Sequence, residues 1–330
     1  MQRIITGYAF YHRYEAFYCR HLEYHQVIAS MKAIKSILVP TDFSGVALNA
    51  YCYALRLADS LDASIDLLYV IPPVTSNPGY GTFVDTLNTR LQKEARTELS
   101  TFLAKGVSLT NDKLKHIPRV ATFIKIGDLR YAISSHVDGQ DNQLMVMGTA
   151  GRRDGWDDFL GTNTSTLINR APCPVLVVPH DTDYHPIEAV CFATDLNDVS
   201  TLQAGQLLHA LRPLQPKMYF LHVRTDQGKA TSYDLDLLRE VFDRPGTGQR
   251  ASFDERQASD TVGAIFSYAT ENDCDLVVMH RPDRSWFHRL LVKSNTREAV
   301  LRAQLPLLII TADDLASSDE KIEEVDSVEQ

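Results

Sequence analysis

The sequence predicts an α/β protein made of two tandem open parallel-sheet domains, each of about five strands with helices on both faces. Three observations predict it. Short apolar runs of strand character alternate with stretches of helical periodicity, an order that requires crossover connections and therefore parallel strands. Residues 144–178, LMVMGTAGRRDGWDDFLGTNTSTLINRAPCPVLVV, place glycines in a G-x2-G-x9-G-[ST] pattern between two such runs. Residues 276–310 align with that stretch without a gap, at a constant offset of 132 (276 − 144).

In chain order, SILVP at Ser36–Pro40 reads as a buried parallel strand that delivers Thr41 and Asp42 at its carboxyl end. A helix follows, with Ala47, Tyr51, Ala54, Leu55 and Ala58 at spacings of three and four. Ile65–Val70 reads as the second strand, stopped by Pro72 and Pro73. From Phe83 to Lys105, Leu87, Leu91, Ala95, Leu99 and Leu103 share one face, and Gly106 reads as the stop signal of that helix. Val120–Ile126 reads as a strand, Asp128–His136 as a helix and Leu144–Met147 as the strand entering the glycine loop. After a short helix, Pro174–Pro179 is the last strand of the first copy.

The second copy opens with AVCFATD, where Thr194 and Asp195 stand as Thr41 and Asp42 do. Val223 follows Asp195 at the distance at which Val70 follows Asp42. Between Val223 and His280 this copy is shorter by 21 residues (78 − 57), so a trimmed second helix and third strand are expected around DRPGTGQRASFDER. The polar run from His180 to His185 reads as the boundary between the copies.

Glycine has no Cβ, so Gly148, Gly151 and Gly161 permit close backbone approach to a ligand or positive φ. The amides of Thr162, Asn163 and Thr164 open a helix whose unpaired N–H groups favour an anion, which is chemistry suited to phosphates. With its spacing, its Thr and the flanking NRAPCPVLVVP, this region resembles the nucleotide-binding signature of the universal stress protein family. MKAIKSILVPTDFS, from Met31, resembles the way members of that family begin. The resemblance implies a Rossmann-like fold of the adenine nucleotide alpha hydrolase-like type, with residues 31–180 as a nucleotide-binding domain and 186–312 as a second domain with a degenerate site. It places Asp42 and Val70 around an adenine, Pro40, Thr41, Met147 and Gly148 near a ribose, and Gly151, Gly161, Thr162, Asn163 and Thr164 at the phosphates. Arg152 and Arg153 read either as phosphate partners or as solvated loop charges. Asp42 has a second reading, as a cap for a helix beginning near Val46.

In the second copy His280, Asp283 and Lys293 stand where the three glycines were, and Ala193 stands where Pro40 was. An imidazole and a carboxylate there oppose ribose and phosphate by bulk and by charge. Asp195, His222 and His280 offer a metal or polar-ligand alternative, against which neighbouring residues on a strand point to opposite faces.

The implied ligand is an adenine nucleotide, ATP or AMP/ADP, with or without Mg. The expected role is regulatory, in a cellular stress response and through an unidentified protein partner. The alternatives are slow ATP hydrolysis and a scaffold with a vestigial pocket. No G-x4-G-K-[ST], G-x-S-x-G or H-E-x2-H pattern supplies a catalytic group. A formal charge of −9 and a pI near 5.6, with no dense basic stripe, argue against a nucleic-acid partner. No apolar run approaches the roughly 20 residues of a membrane span. Five widely spaced cysteines without a C-x2-C pair read as reduced thiols in a cytoplasm. Residues 1–30 read as a poorly ordered extension upstream of Met31, with His12, His21 and His25 as solvated side chains. Residues 313–330 read as an acidic disordered tail. Both last strands are apolar edges, so an intramolecular pseudo-dimer pairing Pro174–Pro179 with Pro306–Thr311 is expected, with homodimers of the whole chain also allowed.

Overall fold

The computed structural model describes residues 33–73, 81–149, 167, 171–180, 182–194, 196, 210–225, 239, 251–280 and 305–310. The expected extension and acidic tail lie outside them. The first half runs β1 (Ser36–Thr41), α1 (Gly45–Leu61), β2 (Ser64–Ile71), α2 (Gly81–Thr110), β3 (Val120–Ile126), α3 (Leu129–Gln140), β4 (Leu144–Thr149) and β5 (Val175–Pro179). The second runs β6 (Ala189–Thr194), β7 (Lys217–Arg224), β8 (Ala251–Gln257), α4 (Thr261–Glu271), β9 (Leu276–His280) and β10 (Leu307–Ile310).

All ten strands form one sheet in the order β3-β2-β1-β4-β5-β10-β9-β6-β7-β8. Every neighbouring pair is parallel except β5 and β10, which pair antiparallel with Leu308 opposite Leu176. The alternation of a strand sends Ile37 and Val39 to one face and Leu38 to the other. One apolar layer joins Val39, Leu67 and Val178 to Phe192, Val278 and Ile310 beneath α1 and α2. The other joins Leu38, Met145 and Val177 to Leu221, Val277 and Ile309 beneath α3 and α4. Both layers cross the β5–β10 seam without a break.

Helix α1 starts where Ser44 accepts a hydrogen bond from Ala47 N at 3.1 Å, and ends where Asp62 turns left-handed at φ 53°. Its small residues Ala47, Ala50, Ala54 and Ala58 are buried and bring it close to the sheet. Helix α2 passes straight through the expected stop at Gly106. A Cβ on Gly106 would lie 2.4 Å from two ring atoms of Tyr51, so this glycine serves helix packing rather than helix termination. The third strand of the second half, expected to be trimmed, is not, since β8 is seven residues long, as β3 is. The shortening therefore falls between β7 and β8, mostly outside the described residues.

The duplication is visible in side-chain devices. Gln143 Oε1 accepts from Lys35 N and Ser36 N at 2.9 Å each, fixing the start of β1 beside β4. Asp275, at the matching place in the repeat, accepts from Glu188 N and Ala189 N at 2.8 and 2.9 Å. Elsewhere the repeats diverge. Near the amino ends of the first-half strands, Asp66 accepts from His136 Nε2 at 3.0 Å and from Asn142 Nδ2 at 3.1 Å, while Asn142 also donates to Ser36 Oγ at 2.6 Å. The aligned second-half positions hold Tyr219, Tyr268, Cys274 and Ala189, with the two tyrosine rings 6.2 Å apart. A polar cluster in one copy is an aromatic contact in the other. The four described cysteines are free thiols, and burial pushes the Cys274 thiol up to about 12.

Asp66→Ala removes the shared acceptor of His136 and Asn142. It should lower unfolding free energy by about 2–5 kcal/mol, read from urea midpoints, because two buried donors lose their partner. Tyr219→Phe, at the matching place in the repeat, should cost no more than about 1 kcal/mol.

Candidate functional site

In the first half the strand order reverses direction between β1 and β4, the switch point at which open parallel sheets form a crevice beyond the strand carboxyl ends. Pro40, Thr41 and Asp42 sit at the end of β1, Val70 at the end of β2, and Met147 and Gly148 at the end of β4. These six expected residues are brought to one edge of the sheet. The phosphate-side group, Gly151, Arg152, Gly161, Thr162, Asn163 and Thr164, lies outside the described residues, as does Arg153.

The crevice has a backbone cause. Strand β1 pairs with β2 along its whole length, from Ser36 to Thr41, but with β4 only at Ile37–Leu144 and Leu38–Met145. Pro40 has no N–H to give. Because the β2 ladder is unbroken, the missing donor falls on the β4 side, and the ladder between the two strands stops short of their carboxyl ends. In the repeat the equivalent ladder continues through Phe192–Val278 to Ala193–Met279. Ala193, in the place of Pro40, keeps its N–H.

The turn after β1 is held by its own side chains. Thr41, buried, accepts from Phe43 N through Oγ1 at 3.0 Å, and Asp42 accepts from Ser44 N through Oδ1 at 3.0 Å. Phe43 sits at φ 65°, its ring 4.5 Å from that of Tyr69. Asp42 is exposed and makes no second hydrogen bond among the described residues, so its other carboxylate oxygen is open to a donor. The capping alternative for Asp42 is displaced: the N-cap of α1 is Ser44. Thr194 and Leu196 repeat the turn, with a 3.0 Å bond and φ 58°.

Gly148 has a packing role that sequence reasoning missed. A Cβ there would lie 2.6 Å from Val46 O and 2.7 Å from Val46 Cγ1, so glycine is what lets the first turn of α1 reach the end of β4. The spacing of the glycine motif gives no sign of Val46, which comes from a distant part of the chain. In the second half, His222 is buried and donates Nδ1–H to Thr194 O at 3.0 Å. Asp195, Asp283, Lys293 and the side chain of His280 lie outside the described residues.

Comparison with known proteins gives the following. The model of the universal stress protein family matches residues 33–179 and again 186–311. Universal stress protein Slr1230 of Synechocystis sp. is 26% identical over 295 residues, covering 83% of this chain and 99% of that protein. Universal stress protein MJ0531 of Methanocaldococcus jannaschii is 30% identical over 151 residues, covering 44% of this chain and 81% of that protein. The crystal structure of a universal stress protein from Archaeoglobus fulgidus superposes with a TM-score of 0.61 at 15% identity, over 84% of this chain and 98% of that one, a likeness of fold.

Gly148→Ala should destabilise the chain by about 1–3 kcal/mol, the usual cost of forcing a methyl into a packed contact. Thermal denaturation without added ligand checks this, since the contact with Val46 is present in the protein alone.

Proposed function

The chain belongs to the universal stress protein family, and from that premise we propose that its first half binds one adenine nucleotide in the β1–β4 crevice and acts as a regulatory member of a stress response. The observation that carries this reading is the end of the β1–β4 ladder after Leu38, set beside an Asp42 carboxylate with an oxygen to spare. Asp42 accepts from the base amino group and Val70 packs against the ring. Pro40, Thr41, Met147 and Gly148 border the ribose. The loop from Gly151 to Thr164 takes the phosphates, with Arg152 adding a cation and with Mg as an accompanying ion where the phosphate chain is long enough. Residues 31–180 form the binding unit and 186–312 a companion that does not bind. Occupancy alters the surface offered to a protein partner.

The chemistry of the residues fits the group. An exposed carboxylate can read an exocyclic amine, and the half-buried isopropyl group of Val70 suits an aromatic base. The second half supports the same reading by contrast. Its switch point is paired through Ala193 and Met279, and the three glycines are replaced.

Denaturing the purified chain and weighing what it releases should identify an adenine nucleotide. Titration calorimetry on the emptied protein should give a stoichiometry near one per chain. Gly161→Trp should abolish binding and Lys293→Ala should leave it unchanged. Pro40→Ala restores an N–H to the β4 side and should weaken binding about fivefold, the equivalent of roughly 1 kcal/mol for one backbone hydrogen bond closing the crevice. A stoichiometry near two, or sensitivity to Lys293 rather than Gly161, assigns the site to the wrong half.

A further inference from the structure

The segment joining the two halves is docked, not loose. Asn49, Tyr53, Arg56 and Ser60 fall at helical spacing on one side of α1. Asn49 Nδ2 donates to Pro179 O at 3.0 Å and to Thr182 O at 3.3 Å. Arg56 Nη1 donates to Tyr184 O at 2.6 Å, and its guanidinium lies 4.9 Å from the Tyr184 ring centroid. Tyr184 is buried, its hydroxyl donating to Ser60 Oγ at 2.8 Å and its ring edge-on to Tyr53 at 5.0 Å. The polar run expected as the boundary lies between β5 and β6 and carries one buried aromatic residue, Tyr184.

Between this strap, α1 and the end of α2 lies a cavity of about 370 Å³. That is the lower end of the range of about 300–1,000 Å³ found for small-molecule sites. Tyr53 lines it and is only 3% exposed, yet its hydroxyl makes no hydrogen bond among the described residues and is not sealed off from the cavity. Buried polar groups ordinarily have partners, so a reachable phenol without one marks a place for a ligand atom. Burial raises the Tyr53 pKa, so the group stays an O–H donor. Arg56 lines the cavity with only one Nη engaged. Lys113, exposed at the mouth, makes no ion pair among the described residues, and it acts on the Cys52 thiol inside. Asp183, on the strap, is the carboxylate among the described lining residues, which also include His180. Leu48 and Leu109 supply apolar wall, and Leu109 is 54% exposed at the rim.

Among the described lining residues Arg56 and Lys113 outnumber Asp183, a balance that suits a monoanion better than a phosphate dianion. We propose that this cavity binds a small carboxylate with an apolar body, aliphatic or aryl, its charge taken by Arg56 and Lys113 with the Tyr53 hydroxyl as third donor. The site is separate from the nucleotide crevice, although both border the first turn of α1, where Gly45 lines the cavity and Val46 meets Gly148.

The test is calorimetric titration of the full chain with octanoate and with benzoate, using octanamide and benzamide as neutral controls. At least one carboxylate should bind saturably at one per chain, and its amide should not. Lys113→Glu, at an exposed position that leaves the fold intact, should weaken binding by roughly tenfold or more, and Tyr53→Phe by about threefold to tenfold. The proposal is overturned if neither carboxylate binds at concentrations up to about 10 mM, where even affinities near 4 kcal/mol register. It is equally overturned if the amides bind as well as the acids, or if Lys113→Glu leaves the affinity unchanged.

Discussion

The antiparallel contact of β5 with β10 is the interaction on which the rest of the molecule depends. Each half is an open sheet whose last strand is an apolar edge, and such an edge left bare recruits other chains. Joining the two edges removes both at once and lets each apolar layer, one beneath α1 and α2 and the other beneath α3 and α4, cross the seam without a gap. The geometry follows from the symmetry of the pair. When like strands meet antiparallel, the strands of the two halves run in opposite directions, so the switch points open on opposite edges of the ten-stranded sheet. A ligand at one cannot touch the other directly.

The repeats kept what the backbone requires and changed what it does not. Gln143 and Asp275 both catch two strand-opening amides, and Thr41 and Thr194 both hold the turn that follows their strand. Unpaired backbone donors are costly wherever they are buried, so these devices constrain both copies equally. The cluster around Asp66 and the proline at position 40 carry no such obligation. Tyr219, Tyr268 and Cys274 replace the one, and Ala193 replaces the other. The ladder stops before Pro40 at one switch point and runs on through Ala193 at the other.

Most of the architecture was legible because its signals are local. Strand alternation, helical spacing and the gap-free self-alignment fix the order of elements, and the strand neighbours follow from the resemblance those residues carry. The pairing of the last strands of the two copies was expected from the family resemblance together with their apolar edges, and β5 and β10 do pair. What the sequence did not reveal depends on contacts between distant residues. Gly106 carries a stop signal, but Tyr51 decides its role, and Tyr51 belongs to another helix. Gly148 reads as a ligand glycine and answers first to Val46. HDTDYH is polar by count, yet its one aromatic residue settles onto α1 and takes the connector with it. The strand-end positions of Pro40, Thr41, Asp42, Val70, Met147 and Gly148 were legible in the sequence, because each closes a short apolar run. The phosphate side lies outside the described residues.

The seam also sets a demand on synthesis. Strand β5 leaves the ribosome complete, with its outer edge apolar, while its partner β10 lies 132 residues further on (307 − 175). At about 5–20 residues per second, that edge waits on the order of 10 s for the strand that covers it. Tyr184 and the strap are made only a few residues after β5 and can dock on α1 at once. Throughout that wait the nascent first half holds its exposed strand next to a connector already anchored, and the growing second half emerges from a fixed point beside the edge it must eventually close.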